Sequence, residues 1–438
     1  MPPLSLLSTL ANGNRLVVEG VAEATGRSLL DRARALRSGE GELRRLCVWS
    51  ASPADILTAL ALAELAGGEV FLAHRSLTAE QVWELAGQYG IDALWFDGDA
   101  RLLRRPLTAI DADTGAIHLM TSGTTGLPKV ARHSLPSLAA SLRRTGNSAE
   151  ARWLLTYPTT SFAGLQVVLA AVLGGGELYA PPDTTPPALV NELRRHAITH
   201  ASGTPSLWRK LLLALNPENP IPSLKNITLG GEAVDQATLD RLSQAFPQAR
   251  LRHVYASTEA GVIFTVADHR AGFPASYLQD GAGQTALRIR DGILEVRTPG
   301  LMKKYVSGHS SPLTEDGWLT TGDAVLEQNG RIVFQGRADG RFNVGGFKVF
   351  PDQVEEAVLA VDGVADVRVY AEKGPLAGDV LVAEVVAGPN LDKAEVRARL
   401  MGHLRRTLPG FAVPRIIRFT EAVTLSASQK KARTHATH

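Results

Sequence analysis

Cysteine is almost absent from this sequence of 438 residues, in which Cys47 is the only one. A single thiol excludes an intramolecular disulfide framework and any zinc or iron–sulfur site built from clustered thiolates. Proteins of oxidising compartments often depend on disulfides, so this composition predicts a reducing compartment, the cytoplasm.

A surplus of one charge is also missing. Lys and Arg number 46 against 44 Asp and Glu, which leaves a formal net charge of +2. The sequence contains no dense basic block that could follow a phosphate backbone. Nucleic acid is therefore excluded as the main partner.

The sequence lacks an export signal and an unbroken apolar run. Its beginning has no basic start followed by an apolar stretch and a small-residue cleavage site. The longest uncharged run, residues 154–176, is interrupted by Pro158 and by three glycines at its end. This run predicts a buried strand and a helix, and no membrane span.

What is present is the composition of a folded chain, with 45% hydrophobic and 21% charged residues. Its length predicts two or three domains. Between residues 45 and 265, short apolar runs alternate with helix-period stretches, which predicts crossover helices on a largely parallel sheet. The predicted strands are 46–49, 70–73, 93–96, 117–120, 153–156, 177–179, 226–229 and 252–255. The predicted helices are 54–66, 78–88, 188–195 and 236–245.

After residue 285 the pattern changes to hairpin-like alternation, with a strong turn dipeptide at Asn329 and Gly330. A β-rich subdomain is predicted there. A small α+β domain should follow, with helices at 352–361 and 393–407 and strands at 366–371, 379–386 and 415–419. Its boundary is predicted near the glycines of residues 336–343, which gives domains over 1–336 and 337–438.

The strongest local signal is the segment HLMTSGTTGLPKVARHS. Glycines let backbone N–H groups face anionic oxygens, hydroxyls add donors, and a lysine neutralises charge. The segment predicts a phosphate-binding loop, although its residues alone also suit an ordinary Gly/Thr turn. It is not a Walker A motif, because Pro128 precedes the lysine and Val130 follows it. The predicted contact residues are Thr121, Ser122, Gly123, Thr124, Thr125, Gly126 and Lys129.

Five further segments follow in order: LGGEAV (229–234), YASTEAG (255–261), TTGDAV (320–325), GRADGRFNVGGFKVFPDQVEE (336–356) and SASQKKAR (426–433). With the loop, this ordered set resembles the adenylate-forming superfamily of acyl- and aryl-CoA ligases, adenylation domains and luciferases. The resemblance implies an α/β fold. A large N-terminal domain would contain layered α/β subdomains plus a β-rich subdomain, and a small mobile α+β C-terminal domain would act as a lid.

The resemblance also implies where ATP and Mg²⁺ bind. Thr258 would contact the α-phosphate, Glu259 would hold Mg²⁺, and Tyr255 would stack on adenine. Asp323 would accept hydrogen bonds from both ribose hydroxyls, supported by Arg337. The other nucleotide-binding residues implied in this way are Gly231, Glu232, Ala256 and Ser257. Taken alone, Asp323 suits the end of a strand equally well, and Arg337 and Glu232 suit solvated surface charges.

The segment SASQKKAR resembles the family pattern Thr/Ser-x-Ser-Gly-Lys-x-x-Arg. Its flanking residues select Lys430 rather than Lys431 as the lysine that bridges the substrate carboxylate and the α-phosphate. Gln429 replaces the usual glycine, and a basic tail without a catalytic role is the alternative. The catalytic residues implied by the resemblance are Lys430, Lys129, Thr258 and Glu259.

The resemblance further implies that the C-terminal domain rotates about Asp339 between two poses. The first inserts Lys430 for adenylation. The second brings the face formed by residues 345–348 to the entrance for a thiol.

The acid-binding residues are implied by the segments TSFAGLQ (160–166) and SGTPS (202–206). Amino-acid-activating relatives carry an aspartate at about the position of Ala163, so an α-amino acid is disfavoured here. An aryl or aliphatic acid is expected instead, although Phe162 could equally be ordinary core. The aromatic–histidine pair of many CoA ligases is missing near Ser161. The predicted pocket residues are Ser161, Phe162, Gly203, Gly230, Ala256 and Gly261.

These residues predict an AMP-forming acid–thiol ligase that uses ATP and Mg²⁺. CoA is the first choice of thiol, and the phosphopantetheine of an acyl carrier protein is the second. Two other functions stay open: an amide-forming or adenylate-releasing enzyme, and a non-catalytic nucleotide-binding regulator on the same fold. The choice between a monomer and a homodimer also stays open.

Overall fold

The computed structural model describes residues 5–11, 15–20, 22–38, 44–96, 115–121, 128–142, 149–216, 218–302, 313–373, 379–389, 391–423 and 431. The chain divides into two compact units, each built from several stretches of sequence. The first contains Met1–Ser202, Ala256–Ile263 and Thr298–Ser311, and the second contains Gly203–Tyr255, Phe264–Arg297 and Pro312–His438.

The helices of the described residues are α1 (Leu6–Leu10), α2 (Gly26–Ser38), α3 (Pro53–Ala66), α4 (Ala79–Gln88), α5 (Leu135–Leu138), α6 (Phe162–Leu173), α7 (Pro186–Arg195), α8 (Pro205–Ala214), α9 (Gln236–Ala245), α10 (Tyr277–Asp280), α11 (Pro351–Leu359) and α12 (Lys393–Thr407).

The strands up to residue 266 are β1 (Arg15–Glu19), β2 (Ala22–Thr25), β3 (Arg45–Trp49), β4 (Glu69–Leu72), β5 (Ala93–Phe96), β6 (Ala116–Thr121), β7 (Lys129–Ser134), β8 (Arg152–Leu154), β9 (Glu177–Ala180), β10 (His200–Gly203), β11 (Asn226–Gly230), β12 (Arg250–Ser257) and β13 (Gly261–Val266). The later strands are β14 (Phe273–Pro274), β15 (Ala286–Arg290), β16 (Ile293–Arg297), β17 (Leu319–Gln328), β18 (Arg331–Arg337), β19 (Phe342–Val344), β20 (Phe347–Val349), β21 (Val364–Lys373), β22 (Asp379–Ala387) and β23 (Ile416–Phe419).

A five-stranded sheet in the first unit carries both ends of the predicted phosphate loop. Its strand order is β5-β3-β4-β6-β7. The first four strands are parallel, and β7 runs antiparallel to β6. Parallel neighbours need crossover connections, which α3 and α4 provide. The alternating pattern of the sequence thus correctly predicts an α/β layer.

Helix α3 shows how the sequence defines one of these crossovers. The Ser52 hydroxyl accepts a hydrogen bond from the Asp55 N–H, Pro53 occupies the first turn, and Gly67 ends the helix with φ of 66°. Most of the residues between these ends are buried. They form one apolar core with residues of α2, α6 and β4, so the helix is covered on nearly all sides.

The run at residues 154–176 forms a strand end and a helix, as predicted. The strand predicted over 153–156 ends two residues early, because the pairing of β8 with β9 stops at Leu154. The Thr156 side chain instead donates to the carbonyl of Ser202. No helix among the described residues is long and apolar enough to cross a membrane.

The second unit contains a five-stranded antiparallel sheet in the order β14-β18-β17-β16-β15. The turn between β17 and β18 is formed by Asn329 and Gly330, with φ of 52° and 71°. Positive φ at both positions is typical of a tight two-residue hairpin, so the predicted turn is confirmed. This sheet is the predicted β-rich subdomain.

The predicted C-terminal elements are present, with α12 over the predicted residues and the other elements within a few residues of them. Strands β21, β22 and β23 form a three-stranded sheet. Buried residues of these strands and of α11 and α12 form one apolar core, which includes Val358, Val385 and Leu400. The domain boundary at residue 337 stays a prediction, since residues 203–255 fall in the same compact unit as this core.

Several elements of the described residues escape the sequence analysis, among them β7, β10 and α8. The sequences of β7 and β10 include charged or small residues at several positions and show no clear apolar periodicity. They form because neighbouring elements pair with them and cover them.

Cys47 is a residue of β3 and is fully buried. Burial raises the pKa of its thiol to about 12.

A cavity in the C-terminal core should destabilise the protein strongly. We expect Leu400→Ala to lower the free energy of unfolding by about 2 to 5 kcal/mol, because Leu400 is fully buried. Urea unfolding followed by circular dichroism measures the change. Leu391→Ala is the matched control, since Leu391 is 42% exposed and should change stability by about 0.5 kcal/mol or less. Equal effects of the two variants would contradict this description of the core.

Candidate functional site

The predicted phosphate loop connects the paired ends of two antiparallel strands. Thr121, the last residue of β6, is the register partner of Lys129, the first residue of β7. The pairing therefore brings the lysine backbone beside the start of the loop. Loop residues 122–126 lie outside the described residues, and their contacts stay predictions.

His133 joins β7 to the predicted site residue Thr258. Its Nε2 lies 2.6 Å from the Thr258 carbonyl oxygen, to which it donates a hydrogen bond. Both groups belong to the first unit. Since His133 and Lys129 lie on the same short strand, this bond ties the YASTEAG segment to the strand that carries the lysine.

The turn after Thr258 is held by backbone contacts. The Glu259 carbonyl accepts a hydrogen bond from the Met302 N–H at 2.6 Å, and the Ser257 hydroxyl accepts one from the Ala260 N–H at 3.0 Å. Gly261 has φ of 69°, a conformation that favours glycine. The Glu259 side chain is half-buried.

The imidazole of His133 is neutral around pH 7. Burial lowers its pKa, while the hydrogen bond to Thr258 and the charge of Glu259 act in the opposite direction. In the neutral ring, a proton on Nε2 suits donation to the carbonyl. The histidine thus acts as a fixed donor rather than as a charge.

The predicted acid-binding residues of the first unit lie at the start of α6. The Ser161 hydroxyl accepts from the Gly164 N–H at 3.0 Å and donates to the Pro158 carbonyl, so it serves as the helix cap. Phe162 is half-buried against the apolar core, and its ring centroid lies 6.4 Å from that of His133. Ala163 packs against the same core. The start of α6 is apolar apart from the cap.

Three residues predicted from separate motifs converge in the second unit. The Tyr255 hydroxyl donates a hydrogen bond to the Asp323 carboxylate. The Arg337 guanidinium lies 3.5 Å from the same carboxylate and donates to the Thr321 carbonyl at 2.6 Å. Register pairing of β17 with β18 places Asp323 opposite Arg337. Burial, and then the Asp323 charge, raises the pKa of the Tyr255 hydroxyl well above its ordinary value.

A glycine makes this approach of Arg337 geometrically feasible. Gly322 has φ of 76°, and a Cβ atom there would come within 2.9 Å of the Arg337 guanidinium. The positive φ favours glycine at this position of the TTGD segment, and a larger side chain there would displace the guanidinium. Asp339, the predicted hinge residue, is exposed in the turn that follows, where its carboxylate accepts from Arg337 Nε at 3.3 Å.

The predicted residue Glu232 is half-buried and makes hydrogen bonds within the protein. One carboxylate oxygen accepts from the Ser206 N–H at 3.0 Å and the Ser206 hydroxyl at 2.7 Å. Gly230 ends β11 just before it, and Gly231 has φ of 86°. Gly203 packs closely on Leu207 at the start of α8. Nucleotide and acid contacts of these residues stay predictions.

Of the two adjacent lysines, only Lys431 falls among the described residues. Its Nζ lies 2.7 Å from the Glu355 carboxylate, and both side chains are buried. A lysine paired in this way is engaged within the protein, which agrees with the choice of Lys430 as the candidate catalytic lysine. Lys430 itself lies outside the described residues.

The residues around Glu259 suit an Mg²⁺ ion. No group of three or more His, Cys, Asp or Glu side chains within the described ranges could form an all-protein metal site. Mg²⁺ often binds through one or two carboxylates, waters and substrate phosphates. A single half-buried carboxylate next to a residue predicted to contact phosphate has the chemistry of such a site.

Two functional candidates are absent from the sequence-based set. His133 follows the loop lysine by four residues, but its partner Thr258 is 125 residues away along the chain. Glu355 lies in the segment 336–356, whose resemblance to the family implies no role for this side chain. A buried acidic residue within an otherwise apolar helix face is the only local signal for it.

Comparisons with known proteins support the resemblance that the motifs indicate. Residues 54–306 match the AMP-binding enzyme family, and residues 353–430 match the AMP-binding enzyme C-terminal domain. The first match covers more than half of the chain.

Two curated relatives come from Mycobacterium tuberculosis (strain ATCC 25618 / H37Rv). The 3-[(3aS,4S,7aS)-7a-methyl-1,5-dioxo-octahydro-1H-inden-4-yl]propanoyl:CoA ligase is 29% identical over 327 residues, covering 71% of this chain and 64% of the relative. The p-hydroxybenzoic acid–AMP ligase FadD22 is 29% identical over 326 residues, covering 69% of this chain and 45% of the relative. The matches thus span less than two thirds of either relative.

A solved structure supports the fold over nearly the whole chain. The o-succinylbenzoate CoA synthetase of Bacillus subtilis, in complex with its acyl-adenylate intermediate, superimposes with a TM-score of 0.74 at 19% identity. The superposition covers 97% of this chain and 96% of that one. The predicted fold class is confirmed.

The buried neutral state of His133 should make stability depend on pH. Below about pH 6.5 the unfolded histidine takes up a proton while the folded one, with its lowered pKa, does not. Stability should therefore fall with decreasing pH until the folded pKa is reached, by at most about 1.4 kcal/mol per pH unit from this group.

We expect His133→Gln, which keeps a side-chain donor, to weaken that pH dependence. Urea unfolding of both proteins at a series of pH values between 7 and 5 measures it. His269→Gln is the control, because His269 lies on an exposed turn. An unchanged slope in His133→Gln would show that His133 is not held neutral.

Proposed function

The chain belongs to the AMP-binding enzyme family, and on that premise we propose that it is an ATP-dependent acid–thiol ligase. The observation that carries the proposal is the convergence of Tyr255, Asp323 and Arg337, which come from three separate motifs. An aromatic ring beside an acidic acceptor and a cation suits the adenosine part of a nucleotide.

The proposed reaction has two steps. In the first, a carboxylate oxygen of the acid attacks the α-phosphorus of ATP, which forms an acyl-AMP anhydride and expels pyrophosphate. In the second, a thiol attacks the acyl carbon, and AMP leaves with the electron pair of the broken C–O bond. Activation is required because a carboxylate is anionic and a poor acyl donor.

Residues of the first unit would bind the phosphates. Lys129 carries a positive charge that would balance the β- and γ-phosphates. The predicted loop residues 122–126 would bind the same phosphates. Thr258 would contact the α-phosphate, and the bond from His133 to its carbonyl would hold it in place. Such fixed groups lower the barrier because they need little reorganisation as charge develops.

Glu259 would hold Mg²⁺, and the ion would neutralise charge on the departing pyrophosphate. In the second unit, the ring of Tyr255 packs near those of Phe264 and Phe334, with centroids at 5.2 and 4.8 Å. This aromatic cluster would support stacking of adenine, and Asp323 would accept from the ribose hydroxyls.

The acid is expected to be aryl or aliphatic. Around Ala163 the start of α6 is apolar, and it offers no carboxylate for an α-ammonium group. Phe162 adds an aromatic surface that suits an apolar acid. The names of both mycobacterial relatives refer to acids that carry rings.

CoA is the proposed thiol, and a carrier-protein phosphopantetheine is the alternative. The first relative is named as a CoA ligase, which favours CoA. We propose that residues 337–438 act as the mobile lid, turning about the exposed residue Asp339. Lys430 would enter the site in the adenylating pose. A cytoplasmic location, with its supply of ATP and CoA, suits this chemistry.

Removal of phosphate-binding groups should slow the first step. We expect Lys129→Ala and Glu259→Gln each to reduce acid-dependent pyrophosphate release by about 100- to 1,000-fold, because each removes charge stabilisation from the transition state. A coupled pyrophosphate assay measures the rates. Lys225→Ala and Glu80→Gln are the matched controls, since both side chains are exposed. Wild-type rates in the two site variants, with folding intact, would refute the assignment.

The acid preference can be tested with one screen. We expect an aryl or aliphatic acid to support faster pyrophosphate release than any proteinogenic amino acid, because an unpaired buried ammonium costs several kcal/mol. Mass spectrometry of the products with CoA and with holo carrier protein then identifies the acceptor. Selective activation of one amino acid would contradict the interpretation of Ala163.

A further inference from the structure

Lys431 is anchored through its side chain. Its ammonium group lies 2.7 Å from Oε2 of Glu355, and the side chains are 7% and 4% exposed. The other oxygen of Glu355 accepts a hydrogen bond from the Val369 N–H at 2.8 Å. The ion pair is thereby built into the contact between α11 and β21, where loss of one partner would leave a buried charge.

Lys431 is also anchored through its main chain. Its N–H donates to Oε1 of Glu232 at 3.2 Å, across 199 residues of sequence. The second oxygen of Glu232 is held by the N–H and hydroxyl of Ser206. The Ser206 hydroxyl in turn accepts from the buried guanidinium of Arg209 at 2.9 Å. The acceptor for Lys431 is therefore itself held by a chain of hydrogen bonds.

These two anchors belong to different parts of the chain. Glu355 lies with Lys431 in the proposed lid, residues 337–438, whereas Glu232 lies outside it. A rotation of the lid would carry the Glu355 pair along unchanged. The same rotation would break the bond to Glu232, so that bond is specific to one arrangement of the lid.

Lys430 precedes Lys431, and consecutive Cα atoms are about 3.8 Å apart. Whatever fixes the main chain of Lys431 therefore restricts where Lys430 can be. A carboxylate acceptor makes a stronger hydrogen bond than a neutral one, so the contact with Glu232 can favour one position of the lysine-bearing segment.

We propose that Glu232 is a positioning residue for acid activation: it receives the main-chain N–H of Lys431 and so holds the lysine-bearing segment in the adenylating pose. The inference rests on the proposed function, and it adds a specific docking point for the lid. Glu232 needs no contact with the acid for this role. It acts on the first step through Lys430 and leaves the second step unaffected.

The test separates the two half-reactions in the full chain. We expect Glu232→Ala to lower kcat for acid-dependent pyrophosphate release by about 10- to 100-fold, the loss of a hydrogen bond to a charged group. KM for ATP should change less than kcat. Thioester formation from chemically supplied acyl-AMP should stay within about a factor of two of wild type. Glu232→Gln, which keeps an acceptor oxygen, should recover part of the rate.

Two other variants serve as references for the size of the effect on each half-reaction. Lys430→Ala should lose pyrophosphate release and retain thioester formation, which is the pattern expected in weaker form for Glu232→Ala. Glu218→Ala is the matched control, because Glu218 is an exposed carboxylate on the loop after α8. Thermal unfolding of every variant separates a loss of folding from a loss of positioning.

A measurement that does not depend on catalysis tests the role of Glu232 separately from the proposed function. Hydrogen exchange, followed by mass spectrometry, should be faster in Glu232→Ala than in wild type for the peptide that contains Lys431. Failure of wild type to release pyrophosphate with any acid would overturn the proposed function, and the exchange result would still decide whether Glu232 anchors this segment.

Three results would each overturn the inference. One is unchanged exchange in Glu232→Ala, and the second is a wild-type rate of pyrophosphate release in that variant. The third is an equal loss of both half-reactions in a folded Glu232→Gln protein, since a general structural role would affect both.

Discussion

A buried guanidinium determines how the second compact unit is assembled. Arg209 on α8 is 2% exposed, and it donates to Asp366 of β21 at 2.7 Å and to Asp235 at 3.1 Å. It also donates to the hydroxyls of Thr238 and Ser206. An isolated charge at this depth would be costly, and these acceptors together compensate it. The position of α8 thereby fixes α9, β21 and the Ser206 hydroxyl that supports Glu232.

The two carboxylates around Arg209 differ in what they connect. Asp235 caps α9 and lies in the same stretch, residues 203–255, as Arg209 itself, whereas Asp366 belongs to the C-terminal α+β region. If that region moves away, the guanidinium keeps one carboxylate and two hydroxyls. A contact of this kind can be strong in one arrangement and still separate without stranding a bare charge. The apolar core of the C-terminal region needs almost nothing from outside it, which also suits separation.

The sequence predicts the layered fold well, because apolar periodicity records burial directly. Strand β5 is a continuous apolar run, as is β3 after Arg45, and the Asn329–Gly330 turn has the backbone that its residues favour. Strand β7 escapes because Arg132 and His133 interrupt its pattern. Ordered motifs identified Tyr255, Asp323 and Arg337, which the structure brings together. No local pattern could pair His133 with Thr258 or Glu232 with Lys431, since those bonds join residues 125 and 199 positions apart.

The burial of Cys47 has a practical consequence for testing the proposed lid motion. The thiolate is the form that reacts with labelling reagents, and a buried thiol with a pKa of about 12 is almost never in that form near pH 7. A cysteine introduced at an exposed position, such as Lys393→Cys at the start of α12, would then be the single reactive thiol, and Cys47 itself would stay unchanged. One fluorophore or spin label could be attached at that position, and its signal could be followed while ATP, the acid and the thiol are added in turn.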